Sequence, residues 1–92
     1  MRNCSEIILS EIANENHFKV LVGRIKLELE GKVISEIRGI DSIYVDFEIN
    51  GNKVTLHHET FEGITVFPTD LEFSTKEENE LIITIGQELK DA

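Results

Sequence analysis

The dipeptide Asn50-Gly51, set between two runs of alternating apolar and polar residues, constrains this chain more than any other feature. A two-residue type I′ turn needs positive φ at both central positions, and Asn followed by Gly meets that need at little steric cost. Before it, Ile43, Val45, Phe47 and Ile49 alternate with Tyr44, Asp46 and Glu48; after it, Val54, Leu56 and His58 alternate with Lys53, Thr55 and His57. The spacing predicts an antiparallel hairpin over 42–58 with one apolar face. With the turn at its tip, Glu48 faces Lys53, Asp46 faces Thr55 and Tyr44 faces His57 on the polar side. Phe47 then faces Val54, and Val45 faces Leu56, on the other. A tip at Gly51-Asn52 slides the pairing by two residues and leaves both faces unchanged.

Downstream of Gly63 a third strand is expected, with Ile64 and Val66 on one face, Thr65 and Phe67 on the other, and Pro68 ending it or marking an edge. Residues 69–74 read as a connecting loop anchored by Leu71 and Phe73. Thr75 with Glu78 is a capping-box signature, and the carboxylates of Glu77, Glu78 and Glu80 suit the positive end of a helix. The apolar stripe Leu81, Ile82, Ile85, Leu89 continues that helix, which is preferred to a strand over 81–85.

The first part of the chain is less decided. Asn3 with Glu6, then Cys4, Ile7, Ile8 and Ile12 at helical spacing, predict a helix over 4–15 with Asn14, Asn16 and His17 as its exit. Residues 17–30 fit two periods. Phe18, Leu21, Val22, Ile25 and Leu29 make a helical face, while Phe18, Val20, Val22 and then Ile25, Leu27, Leu29 alternate with a slip at Gly23. A bulge at Gly23 explains the slip, so the strand is preferred. Past Glu30-Gly31-Lys32, Val33, Ser35 and Ile37 suit a further strand, and Val33, Ile34, Ile37 and Ile40 a short helix.

These elements specify an α+β fold: a four- or five-stranded antiparallel meander with an N-terminal and a C-terminal helix packed on one face, a two-layer sandwich. Residues 1–92 form one domain, since a chain of this size buries only roughly 60–70% of its unfolded surface and has no room for a second core. The opposite sheet face is left open. In element order alone the arrangement resembles the frataxin family; the chain has no tryptophan, and its N-terminal segment carries only Glu6, Glu11 and Glu15, so no site follows from the likeness.

Charge narrows the partners. The net charge of −9 arises entirely beyond residue 40, because acids and bases balance before it. Phosphate backbones and anionic lipid repel such a protein, so nucleic acid and membrane are poor partners and a basic protein is a better one. Cys4 is the only cysteine, which excludes an internal disulfide and suits a reducing compartment. It is in phase with Ile8 and Ile12, so a buried, inert thiol is preferred to a nucleophile. The apolar run Ile7-Ile8-Leu9 is broken by Ser10 and Glu11, far short of a secretory or spanning segment, and a cytoplasmic location is expected.

No catalytic set, metal site or cofactor motif emerges. His57 and His58 are neighbours on a strand and point to opposite faces, so they cannot chelate one metal together. The six glycines are isolated rather than clustered around a phosphate. His57 beside Tyr44 and Asp46 is the one candidate for a small hydrolase or isomerase, without a nucleophile to serve. The stronger expectation is a partner-binding face made of Tyr44, Asp46, Glu48, His57 and Phe67, with Glu59, Glu62, Asp70 and Glu72 around it. Small acidic domains of this kind include inhibitors and immunity proteins that mask a basic toxin or nuclease; a homodimer built on the open face is the alternative.

Overall fold

The structure, a computed structural model, describes residues 6–90. Seven elements follow in order: β1 (Ile7–Ser10), α1 (Glu15–Glu28), β2 (Lys32–Arg38), β3 (Ser42–Ile49), β4 (Asn52–Glu59), β5 (Gly63–Pro68) and α2 (Lys76–Leu89). The strands form a single antiparallel sheet in the order β1-β5-β4-β3-β2. The α+β class and the four-strand meander therefore stand, with a fifth strand added at the far edge.

The hairpin has the predicted register. Asn50 and Gly51 have φ of 50° and 82°, and Tyr44 pairs with His57, Asp46 with Thr55 and Glu48 with Lys53. Helix α2 is also where its cap places it: the Thr75 side chain accepts from the Glu78 N–H at 3.0 Å, and the Glu78 carboxylate accepts from the Thr75 N–H at 2.8 Å. Two orphan donors of the first turn are thereby satisfied locally.

Residues 7–28 differ from expectation. Residues 7–10 are a strand rather than part of a helix over 4–15, and 15–28 are a helix rather than a strand with a bulge. Asn14 explains much of the error. Its side chain accepts from the His17 N–H at 3.0 Å, so it begins α1 instead of ending an earlier helix. Asn disfavours a helix interior and favours a cap, and that preference alone does not say on which side the helix lies. Gly23 sits inside α1 with nothing within 4 Å of where a Cβ would be, so it is neither bulge nor close contact. The resemblance in element order to frataxin falls with the first helix. Cys4 and its expected thiol environment lie outside the described residues.

β1 forms because β5 offers it an edge. Ile7 pairs with Val66 and Ile8 with Thr65, while Ile12, which the helical spacing would have turned inward, is exposed. The connection through α1 then crosses the sheet from one edge, β1, to the other, β2. Phe18, Leu21 and Ile25 of α1 and Ile82, Ile85 and Leu89 of α2 share one core with Val45, Phe47, Val54, Leu56, Ile64 and Val66 of the sheet. Both helices thus cover the same face, and among the described residues the other has no helix on it.

Candidate functional site

Strand alternation carries every second residue to the uncovered face, and the pairing aligns those residues in cross-strand rows. One row runs Ile37, Tyr44, His57, Thr65, Ile8 across all five strands. The next runs Ser35, Asp46, Thr55, Phe67, and a third begins Lys32, Glu48, Lys53. All five residues expected on this face, Tyr44, Asp46, Glu48, His57 and Phe67, are therefore on it, but they are in different circumstances.

Tyr44 and His57 stack with ring centroids 4.2 Å apart and planes within 7°. Phe67 meets His57 edge-on at 6.1 Å and is only 8% exposed, so it supports the stack from beside rather than presenting itself to solvent. Asp46 is committed internally. It accepts from the Thr55 hydroxyl at 2.6 Å and from the Ser35 hydroxyl at 2.9 Å. Since the Thr55 proton is spent on Asp46, the 2.9 Å contact between the Thr55 and Thr69 hydroxyls must have Thr69 as donor. Glu48 is exposed, with Lys32 and Lys53 opposite it on the two flanking strands. Lys32 and Lys53 thus offset the charge of Glu48, while Asp46 keeps its charge with both oxygens engaged by neutral hydroxyls. The exposed apolar surface comes instead from Ile37, Tyr44 and Ile8, which are 62%, 37% and 50% exposed.

Ile8 and Ile37 were not legible as site residues. Apolar spacing places Ile37 on a strand or a short helix, and Ile8 on the buried stripe of a helix. Only the cross-strand register brings them into line with Tyr44.

Electrostatics concentrate at His57. Its side chain is 14% exposed, and its Nε2 lies 3.8 Å from a Glu59 carboxylate oxygen, too far for a hydrogen bond. Burial pushes the imidazole below the ordinary histidine value of 6.5; Glu59, then Glu62 and Glu6, pull the other way without overcoming it. The lowered value has a stability consequence. Below about pH 6.5 the unfolded chain takes up a proton that the folded His57 resists, so stability falls as pH drops from there through the folded value. Urea denaturation at pH 7 and pH 5.5 is expected to show a larger loss for the native protein than for His57→Gln. Equal losses would remove His57 as the cause.

His58 faces the other way, into the core, edge-on to Phe18 with centroids 5.5 Å apart. Its two ring nitrogens meet no hydrogen-bonding group among the described residues. A concavity of about 660 Å³ lies between Lys53, residues 69–73 and the first turn of α2. Two of its acids, Asp70 and Glu78, are also in local use. One Asp70 oxygen accepts from the Glu72 and Phe73 N–H groups, and Glu78 accepts from the Lys53 N–H at 3.3 Å besides capping the helix. Among the described residues no three of His, Cys, Asp and Glu come together as metal ligands, and no helix is long and apolar enough to cross a membrane.

Compared with protein-family models, curated proteins and solved structures, the chain gives no match.

Proposed function

We propose that the protein is a binding module whose open sheet face takes a basic protein partner. The observation that carries this reading is the row Ile37, Tyr44, His57, Ile8 on a face without a helix, with Glu59, Glu62 and Glu6 acting on its central histidine. An apolar and aromatic centre with an acidic margin complements a partner whose own apolar patch is rimmed by Lys and Arg. Masking such a surface on a nuclease or toxin is the role of an inhibitor or immunity protein, and the acidic excess of this chain suits that role.

The proposed face differs from the one expected from sequence in where its charge lies. Glu48 is a poor candidate for steering, because it stands between lysines, and Asp46, which keeps its charge, is half-buried with both oxygens turned to Ser35 and Thr55. Glu59 and Glu62, at the end of β4 and in the turn after it, take that part.

Capture from the native cell at low salt, eluted by rising salt, supplies the partner, and the measurements are then made on the purified pair. Tyr44→Ala is expected to weaken binding by about 2 kcal/mol, the scale of a central aromatic anchor, mostly through faster dissociation. Glu59→Lys with Glu62→Lys is expected to slow association and flatten its salt dependence. A partner that is not basic, or affinity unchanged by Tyr44→Ala, would count against this face.

A further inference from the structure

Strand β2 ends the sheet, and among the described residues no strand lies along its side away from β3. Open edges are normally guarded by charge, proline or a bulge. Here a bulge between Val33 and Ser35 interrupts the first half, but from Ser35 onward the strand pairs regularly with β3. That regular half carries Ile37, and the fully exposed Ile40 follows it.

Backbone geometry says which groups the edge offers. The Gly39 N–H donates to the Ser42 carbonyl at 2.7 Å, which turns residue 39 toward β3. Ile37 and Ser35, in the same ladder phase, also turn to β3, because successive residues of a strand direct their N–H and C=O to opposite sides. Glu36 and Arg38 therefore hold their N–H and C=O groups on the free edge.

A second copy meeting this edge antiparallel, about a two-fold axis normal to the sheet, must match free-edge residues with free-edge residues. The axis then falls on a residue, and charge separates the choices. At Glu36 it opposes two carboxylates, and at Arg38 two guanidiniums. At Ser35 it sets Arg38 against Lys32 and runs into the bulge. At Ile37 it sets Glu36 of each copy against Arg38 of the other and Ile37 against Ile37, all within the regular half of β2.

We propose that the protein forms a two-fold dimer by pairing β2 with β2 of a second copy, with the axis at Ile37. Four backbone hydrogen bonds close the seam, two for each Glu36 and Arg38 pair. Ile37 occupies the non-hydrogen-bonded position, where facing side chains approach most closely. Arg38 already pairs with Glu36 at 2.7 Å and Glu15 at 3.3 Å within its own chain. Its five N–H donors leave capacity for the second Glu36. Because Ile37 lies in the row with Tyr44 and His57, the two open faces join into one ten-stranded surface. The pairing uses the strand edge, so it stands or falls separately from the basic partner proposed above.

Sedimentation velocity from about 1 μM to 1 mM is expected to show a reversible dimer with a dissociation constant of about 1–100 μM, the strength of a small interface. In amide exchange, the N–H groups of Glu36 and Arg38 are expected to gain protection with concentration, while that of Ile37, which faces β3, does not. I37K, at an exposed position the fold tolerates, is expected to weaken the dimer at least about tenfold by setting two ammonium groups across the axis. Glu36→Lys is expected to weaken it similarly, and adding Arg38→Glu to restore it. A monomer at the highest concentration, a dimer indifferent to I37K, or protection gained elsewhere in the sheet overturns the proposal.

Discussion

Gly63→Ala is expected to cost about 3 kcal/mol or more of stability, through two costs that act together. Gly63 opens β5 with φ of +110°, a conformation that residues bearing a Cβ rarely adopt. A Cβ there would also stand 2.1 Å from the Ser10 carbonyl oxygen and 2.9 Å from the Glu11 carbonyl carbon. Those neighbours are backbone, so no side-chain rotation relieves the overlap. Relief requires β1 to move off β5, and β1 is only four residues long, with Leu9 buried beneath α2 and the sheet. Urea denaturation gives the size of the loss, and amide exchange is expected to place it first in β1 and the start of β5. A variant within 1 kcal/mol of the native protein would mean that this close approach is not as drawn.

Phe47→Ala is expected to cost about 3–5 kcal/mol, the range for removing a buried phenylalanine from a packed core. Phe47 is fully buried in β3, opposite Val33 and Val54, and reaches the turn after α1, where a Cβ on Gly31 would come within 3.3 Å of its ring. The site thus joins sheet, α1 and the β2 edge, and little around it can collapse into the space. The companion change Tyr44→Ala, three residues away on the open face, is expected to cost under about 1 kcal/mol, because that ring lies on the surface against His57 and its loss leaves no internal cavity. A difference of this size between two aromatics of one strand tests which face is core. A loss below 1.5 kcal/mol for Phe47→Ala would show that α1 does not close on the sheet there.

The hairpin and α2 were readable for the same reason. Asn50-Gly51 and the Thr75 and Glu78 pair each decide backbone geometry within four residues, through φ preference in one case and reciprocal hydrogen bonds in the other. Nothing distant competes with such signals. Residues 7–10 and 15–28 were misread because their apolar spacing satisfies both a helix and a strand. The free edge of β5 settled the first segment, and the space over β3 and β4 settled the second.

The candidate face was legible as a set of residues and not as a charge pattern. Alternation alone placed Tyr44, Asp46, Glu48, His57 and Phe67 on one side, where they are. It could not show that Ser35 and Thr55 engage Asp46, that Lys32 lies beside Glu48, or that Phe67 is nearly covered, since each depends on a neighbouring strand or loop.

By itself, then, the sequence determined the hairpin and its two faces, the capped start of the second helix, the α+β class and the side of the sheet on which the aromatic pair stands. Those features follow from hydrogen bonds and steric preferences among residues close in the chain. The tertiary structure decided that residues 7–10 form a strand, that α1 crosses from one sheet edge to the other, and that Ile8 and Ile37 extend the Tyr44 and His57 row. These outcomes rest on which buried surfaces and unpaired edges meet, a long-range choice that local periodicity does not make.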